Sequence, residues 1–239
     1  MSKLTHIFFD LHGTLIDTTV MGACYSAAYG RIMADRYGLD PMQWRDANRL
    51  IMADWDSYYA DLNLDGENGI DDMWEGLYRT TRAMFRVVGQ PEPPHEELRW
   101  LSRWIPGEVP RACDAFYADA KPMIRRLYDA GYTLGITSHA LVAQAAATLE
   151  GGGMREFFTG PIIGPDNAEQ YRKDYLFYAF ALRQAGADAS VCMAVDDRSD
   201  ALDEAKSMGM QTFNVRRSGT HAEGLAGLAD VMSRLRGSE

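Results

Sequence analysis

Acidic and hydroxyl side chains stand at the ends of three short apolar runs. Side chains of these types could bind an anionic substrate and act as nucleophile or metal ligands. The residues are Asp10, Thr137, Ser138, Asp196 and Asp197. A short apolar run bounded by turn residues is typical of a central strand in a parallel sheet. Open α/β sheets bind their ligands at the carboxyl ends of such strands. We therefore expect these side chains to converge on one rim of the sheet and to form a site there.

The elements that must position these residues alternate between strand and helix from about residue 116 onward. Strands separated by helices of about 10–15 residues form βαβ units, and these give a parallel sheet with right-handed crossovers. After the first strand at 7–9, the pattern predicts strands at 132–139, 157–163, 191–197 and 211–215, and helices at 119–131, 141–149, 175–185, 200–208 and 225–235.

The segment from Asp17 to Cys113 has almost no strand signal. Apolar residues at helical spacing predict helices at 25–37, 41–59, 70–88 and 95–104, the last of them stopped by Pro106-Gly107. We expect a core domain of residues 1–16 and 114–239 and a helical domain of residues 17–113 above the rim. The aromatic residues of the helical domain favour a bundle core over a ligand pocket; they are Trp44, Trp55, Tyr58, Tyr59, Trp74, Trp100 and Trp104.

Composition excludes several classes of function. The 239 residues are 46% hydrophobic and carry a net charge of −10. An acidic chain without a basic run is a poor ligand for nucleic acids and is repelled by anionic membranes. No apolar stretch approaches about 20 residues, so we expect a cytoplasmic protein. Cys24, Cys113 and Cys192 are odd in number and far apart, which predicts reduced structural thiols.

These pieces, in this order, resemble the haloacid dehalogenase (HAD) superfamily along nearly the whole chain. The run Asp10-Leu-His-Gly-Thr-Leu15 resembles the first family motif, Asp-x-Asp-Gly-Thr-Leu, with His12 at the second aspartate. The run from Ala205 to Gly219 is similar to the 2-haloacid dehalogenase and phosphoglycolate phosphatase branches. The helical segment has the position of the first type of family cap. The resemblance implies a hydrolase with a Rossmann-like parallel core and an inserted helical cap.

The resemblance also implies roles for single residues. Asp10 corresponds to the nucleophile and Thr14 to a catalytic residue of the same motif. Ser138 would hold a phosphoryl oxygen at a helix N-terminus, and His139 stands beside it where asparagine is common in the family.

The family's cation and metal ligands have counterparts too. Either Arg172 or Lys173 would be the cation, and lysine is the usual type. Asp197 would bind Mg²⁺ together with Asp10 and the backbone carbonyl of His12. Two further acids would support these ligands: Asp196 directly or through water, and Asp200 as either a helix cap or a supporting group. Hard oxygen ligands of this kind suit Mg²⁺.

Three reaction types use the scaffold that the sequence resembles, and a fourth interpretation is that the protein has lost catalysis. Asp196 and Asp197 favour a Mg²⁺-dependent phosphatase acting on a small phosphorylated metabolite. The resembled dehalogenases need no metal, have neutral residues there and carry tyrosine at the position of His12. Phosphonoacetaldehyde hydrolases need a cap lysine, and residues 17–113 contain none. A HAD-like binding module without catalysis is the last alternative.

His12 is the least usual residue of the set. An imidazole could replace the second aspartate as acid and base, or it could only fill space while its backbone carbonyl meets the metal. The sequence leaves both interpretations open. It also leaves open whether the protein is a monomer or a homodimer.

Overall fold

A computed structural model describes residues 3–217, 224, 225 and 227. Its strands are β1 His6–Phe9, β2 Thr133–Thr137, β3 Ile162–Ile163, β4 Cys192–Asp196 and β5 Gln211–Asn214. They form one parallel sheet in the order β3-β2-β1-β4-β5. The predicted α/β fold class with a parallel sheet is confirmed. The apolar residues of β1 are almost wholly inaccessible to solvent, as a strand with helices on both faces requires.

The register of the sheet explains why the polar residues meet. Phe9 pairs with Ile136 on one side and with Val195 on the other. Asp10 therefore follows β1 at the level of Thr137 and Asp196, which end their own strands. The strand order reverses between β1 and β4, and parallel sheets open a crevice at such a point.

The chain between β1 and Cys113 is mainly helical. The helices are α1 Thr18–Tyr37, α2 Pro41–Ala53, α3 Gly69–Val87 and α4 His95–Glu108, with short 3₁₀ turns at Trp55–Tyr58 and Val109–Ala112. Residues 18–112 are all described and contain no strand. We call this segment the helical insertion. Asp40 caps α2 as predicted. Its side chain accepts the backbone N–H of Met42, and Pro41 occupies the first helical position.

Three helix boundaries of the insertion differ from the sequence prediction. Helix α1 begins at Thr18 rather than Tyr25, because the Asp17 side chain accepts the N–H groups of Thr19 and Val20. Helix α2 ends at Ala53, short of the predicted residue 59, and a 3₁₀ turn follows it.

The third difference is α4, which runs through Pro106 and Gly107 instead of stopping before them. Leu98, Leu101 and Ile105 are buried on its inner face, and this packing outweighs the backbone donor lost at proline. A Cβ at Gly107 would lie 3.0 Å from the Cβ of Ala143, so glycine allows α4 to approach the core closely.

The core helices are α5 Ala120–Asp129, α6 Val142–Gly151, α7 Pro165–Ala168, α8 Tyr175–Ala185 and α9 Ser199–Ser207, with 3₁₀ turns at Arg155–Phe157 and Ala189–Val191. The predicted helix at 225–235 lies outside the described residues except for residues 225 and 227. Among the described helices, none is both long and apolar enough to cross a membrane. The cytoplasmic location stays a prediction.

The cysteine prediction was wrong for two of the three residues. Cys24 on α1 and Cys113, which follows the helical insertion, form a disulfide with their Cα atoms 5.8 Å apart. A separation of 89 residues hides this proximity in the sequence. Cys192 is a buried free thiol on β4, as predicted.

Reduction of the Cys24–Cys113 disulfide should destabilise the protein. A cross-link over 89 residues restricts the unfolded chain, and bonds of this kind contribute about 2–4 kcal/mol. Thermal unfolding with and without dithiothreitol measures the effect. Cys24→Ser should lower the midpoint in the same way and should no longer respond to the reductant. A midpoint that dithiothreitol leaves unchanged in the unsubstituted protein would contradict the prediction.

Candidate active site

Three carboxylates and one ammonium group meet in the crevice between β1 and β4. Asp10, Asp196 and Asp197 carry oxygens that all lie within 4.8 Å of one another. The Lys173 Nζ donates to Asp10 Oδ1 at 2.6 Å and to Asp196 Oδ2 at 2.8 Å. Lys173, Asp10 and Asp196 are buried, whereas Asp197 is exposed. The sheet register and the loop before α8 thus bring four of the predicted site residues together.

The charges of this cluster depend on one another. Burial by itself lowers the pKa of Lys173, but the neighbouring carboxylates Asp10 and Asp196 outweigh burial and raise it. Burial raises the pKa of Asp196 against the opposing effect of Lys173. Burial and then the Asp196 charge raise the pKa of Asp197. Three carboxylates against one ammonium leave excess negative charge, which a divalent cation would neutralise.

The turn after Asp10 is closed onto Asp197. The Thr14 hydroxyl donates to Asp197 Oδ1 at 3.3 Å. Gly13 has φ +87°, and a Cβ there would lie 2.5 Å from Asp197 Oδ2. The turn therefore needs glycine both for its backbone and for the space that the carboxylate occupies.

Gly13→Ala should destabilise the fold and displace Asp197. Positive φ costs a residue with a Cβ about 1–2 kcal/mol, and the collision with Asp197 adds to that cost. Gly209→Ala is the matched control: its φ is +90°, but the nearest atom to its Cβ would lie 4.0 Å away. Urea unfolding and calorimetric titration with Mg²⁺ measure the two effects. If both variants lose stability equally and bind Mg²⁺ alike, Gly13 has no role in placing Asp197.

Ser138 lies at the rim, but it does not stand at a helix N-terminus as predicted. Helix α6 begins at Val142, whose N–H donates to Asp166 Oδ1 at 2.9 Å. The Ser138 Oγ instead accepts the N–H of Ala140 at 3.2 Å, so it stabilises the turn between β2 and α6. Its side chain is buried directly after Thr137, beside the strand end that Asp10 follows.

Two histidines stand where the site meets the helical insertion. Burial lowers the pKa of His12, although the Asp10 charge opposes this effect. Burial, followed by the charges of Lys173 and Arg198, lowers the pKa of His139 to about 3. The His139 ring lies 5.6 Å from the ring of Tyr171. His139 is therefore neutral at neutral pH, whereas on His12 the Asp10 and Asp197 charges favour the protonated form against burial.

Two predicted candidates point away from the carboxylates. The Arg172 Nε lies 3.6 Å from Asp65 Oδ1 on the helical insertion, and its side chain is 64% exposed. Lys173, not Arg172, therefore reaches Asp10. Asp200 pairs with the Arg198 guanidinium instead of capping α9.

Sequence reasoning missed two arginines near the site. Arg198 directly follows Asp197, and its charge acts on His139, so adjacency to the acidic pair was the available signal. Arg217 donates to both oxygens of Asp119, at 2.8 and 3.0 Å, and to the carbonyl oxygen of Thr14. It thereby anchors the turn that follows Asp10. No spacing in the sequence indicates this long-range contact.

A cavity of about 860 Å³ lies between the rim of the core and the helical insertion, beside the carboxylate cluster, whose four residues do not line it. Residues of the helical insertion line most of it, and the core side is lined by His12, His139, Leu141, Gln144 and Tyr171. Trp44 is buried in the core as predicted, whereas Trp55 and Tyr59 line the cavity with their rings 5.0 Å apart.

Residues 4–209 match the family of haloacid dehalogenase-like hydrolases. The match spans most of the chain, so the protein belongs to this family, and the predicted superfamily is confirmed. Among curated proteins, none matches the sequence.

Solved structures of the same fold include both phosphatases and dehalogenases. The HAD-hydrolase YfnB of Bacillus subtilis, described as bound to magnesium, has a TM-score of 0.65 at 15% identity, covering 97% of this chain and 100% of its own. A 2-haloacid dehalogenase of Pseudomonas syringae has 0.62 at 20% identity, covering 97% and 99%. A HAD phosphatase of Thermococcus onnurineus has 0.58 at 18% identity, covering 96% and 98%. Likeness at these identities establishes the fold and leaves the reaction open.

Proposed function

We propose that the protein is a Mg²⁺-dependent phosphatase that cleaves phosphate monoesters through an aspartyl-phosphate on Asp10. The observation that carries this proposal is the cluster of Asp10, Asp196 and Asp197 around Lys173. Phosphoryl transfer passes through a loose transition state with little bonding to the nucleophile. Catalysis therefore depends mainly on positioning the groups and on neutralising charge. The cluster offers one carboxylate for attack and two more for holding cations near it.

The donor set fits a hard divalent cation. Asp197 provides oxygens on the exposed side of the cluster within 4.8 Å of the buried Asp10 carboxylate, and the glycine at position 13 leaves room for Asp197. In the proposal these two residues and the backbone carbonyl of His12 hold Mg²⁺, and Asp196 supports them. When bound, the ion neutralises negative charge on the phosphate oxygens.

The chain's own residues account for the two chemical steps. Asp10 attacks phosphorus, the Asp10 oxygen–phosphorus bond forms, and the bond from phosphorus to the ester oxygen breaks. Water then attacks the same phosphorus, phosphate leaves, and the Asp10 carboxylate is restored. Lys173 holds Asp10 in place through the 2.6 Å contact and keeps a positive charge beside the incoming phosphate. Ser138, at the neighbouring strand end, would bind a phosphoryl oxygen.

His12 would move the protons. It lies two residues after Asp10 and lines the cavity into which the leaving group must depart. The cycle starts from the protonated imidazole, which the neighbouring Asp10 charge favours. In the first step it delivers this proton to the leaving alkoxide, and in the second it regains a proton from the attacking water.

His12→Asn should slow esters of poor leaving groups far more than esters of good ones. Loss of a general acid costs about 10²–10⁴-fold when the alkoxide needs a proton, and less when a nitrophenolate leaves unaided. The measurement compares kcat/KM for alkyl phosphates and 4-nitrophenyl phosphate in both proteins. His6→Asn is the matched control, because His6 lies at the other end of β1. An equal loss on both esters would remove His12 from proton transfer.

A direct assay separates the phosphatase from its alternatives. The protein is incubated with 4-nitrophenyl phosphate with and without Mg²⁺, and with 2-chloropropionate without metal. We expect Mg²⁺-dependent phosphate release and no chloride. Chloride release without metal would instead identify a dehalogenase, the alternative that the natural histidine at position 12 leaves open. If neither phosphate nor chloride is released, with alkyl phosphates tested as well, the protein is a binding module without catalysis.

A further inference from the structure

The cavity is much larger than a phosphate group or a two-carbon acid requires. Its volume of about 860 Å³ falls within the range of roughly 300–1,000 Å³ that is usual for sites binding drug-sized ligands. It is continuous from His12 and His139 at the core to the exposed side chains of Arg49 and Met52 on α2. His12 stands two residues after Asp10 and feels its charge, so the core end of the cavity lies next to the carboxylates. A substrate whose phosphate lies at Asp10 would place its leaving group in this space.

The lining of the cavity is suited to an apolar body. Its walls include Met21, Met73, Leu77, Met84 and Ile105 from three of the four helices of the insertion. Methionine side chains adapt their shape to apolar ligands. On the α1 side the lining consists partly of Gly22, Ala23 and Ala27, and small residues there keep the volume open.

One polar group in the wall of the cavity is unsatisfied. The Tyr29 hydroxyl is buried without a hydrogen-bond partner in the part of the chain that the structure describes, and Tyr29 lines the cavity. Its neighbour Ser26 is satisfied, donating to Asn48 Oδ1 at 2.8 Å. A buried hydroxyl without a partner is costly and uncommon in folded proteins. Because the hydroxyl is covered in the free protein, a polar atom of a bound ligand would satisfy it only as the adjacent side chains move aside.

We infer that the physiological substrate is a phosphate monoester of a bulky, largely apolar alcohol, and that this alcohol carries a polar group which meets Tyr29. The inference rests on the proposed phosphatase function and deepens it. It replaces the expected small metabolite with a substrate whose leaving group fills the helical insertion. Phosphate lies at the carboxylates, the apolar body lies against the methionines, and the polar group reaches the hydroxyl.

A series of n-alkyl phosphates tests the apolar part. Ethyl, butyl, hexyl and octyl phosphate have leaving groups of similar acidity, so the chemical step stays constant while buried area grows. Each buried methylene is expected to raise kcat/KM about fourfold, or roughly 200-fold from ethyl to hexyl phosphate. A flat or falling series, measured on protein that hydrolyses these esters with Mg²⁺, would overturn the inference and leave the phosphatase intact.

Gly22→Leu tests the location. A Cβ at Gly22 meets no atom within 4 Å, so the larger side chain fits and extends into the cavity. Leucine also has the higher helix propensity, so the helix should form. The ratio of kcat/KM for hexyl and ethyl phosphate should fall at least about tenfold, the loss of roughly two buried methylenes. Val20→Leu, on an exposed part of α1 outside the cavity, should keep the ratio. An unchanged ratio in Gly22→Leu would place the alkyl chain elsewhere.

Tyr29→Phe tests the polar part with hydroxylated hexyl and octyl phosphates. We expect one hydroxyl isomer to be preferred over its parent ester about 5- to 10-fold, the value of one hydrogen bond, and the preference to vanish in Tyr29→Phe. No preferred isomer, or a preference that survives Tyr29→Phe, would remove Tyr29 from recognition.

Calorimetric titration with hexan-1-ol separates the two proposals, because it needs no turnover. Binding that Gly22→Leu abolishes supports the cavity assignment even if no ester is hydrolysed and the phosphatase proposal fails. No binding of the alcohol, in protein that hydrolyses ethyl phosphate, would overturn the cavity assignment alone.

Discussion

Asp10→Asn should reduce the turnover of every phosphate ester by roughly 10³-fold or more, because an amide oxygen cannot form the covalent intermediate. Asp10 is buried at 5% exposure directly after β1, and its side chain is held by Lys173. Asparagine preserves the size of the side chain, and Lys173 keeps its contact with Asp196. The loss should therefore appear in kcat without a loss of folded protein, as near-ultraviolet circular dichroism would show.

Asp17→Asn is the matched control for this substitution. Asp17 is a second carboxylate near the same turn, but it accepts the backbone N–H groups of Thr19 and Val20 at the start of α1. Asparagine caps helices as well as aspartate, so this variant should retain activity. Retained turnover in Asp10→Asn, or an equal loss in Asp17→Asn, would contradict the assignment of the nucleophile.

Lys173→Met should damage both stability and activity. The Lys173 side chain is only 2% exposed and neutralises Asp10 and Asp196 at once. Removing one member of a buried ionic cluster typically costs about 3–5 kcal/mol, since the remaining charges stay buried without a partner. Loss of a fixed charge at the phosphate should lower kcat by roughly 10²–10³-fold. Urea unfolding and steady-state kinetics measure the two effects.

Arg172→Met is the control for Lys173→Met, because it removes the adjacent cation from the same loop. Its ion pair with Asp65 is exposed, and such pairs contribute about 0–1 kcal/mol. A larger kinetic loss in Arg172→Met than in Lys173→Met would show that the cation assignment is wrong. Adding Asp196→Asn to Lys173→Met should recover part of the stability, because it removes one of the two carboxylates left unpaired.

The central sheet could be predicted because each of its strands is a local apolar pattern. The buried run before Asp10 and the run before Asp196 predicted neighbouring strand ends, and parallel pairing at Phe9 brings those ends together. The sequence also predicted the α2 cap at Asp40, since the capping chemistry lies within four residues. Such features depend on interactions between residues close in the chain, or on a register that the strands share.

Features that depend on distant contacts could not be read from the pattern. Pro106 indicated a helix end, but burial of Leu101 and Ile105 carries α4 past it. The Cys24–Cys113 disulfide joins residues far apart in the chain. Arg217 reaches Asp119 and Thr14 over separations of 98 and 203 residues. The cavity is lined by small residues of α1 and by methionines of α1, α2 and α3, a combination that no single segment of the sequence indicates.

The same limit applies to the reaction. The sequence placed Asp10, Lys173 and Asp197 among the site residues, and the structure brings these three together. His12 remains the residue on which phosphatase and dehalogenase interpretations divide. Its position at the cavity lining supports a role toward the leaving group, and the kinetic comparison above tests that role.

Trapping the covalent intermediate tests the central claim most directly. The protein is quenched during turnover of 4-nitrophenyl phosphate with Mg²⁺ and treated with borohydride, which reduces an acyl phosphate to an alcohol. Peptide mapping by mass spectrometry then locates the modified residue. The proposal predicts reduction of Asp10 to homoserine, dependent on both substrate and Mg²⁺. Unmodified Asp10 in turning-over enzyme, together with metal-independent chloride release from 2-chloropropionate, would contradict it.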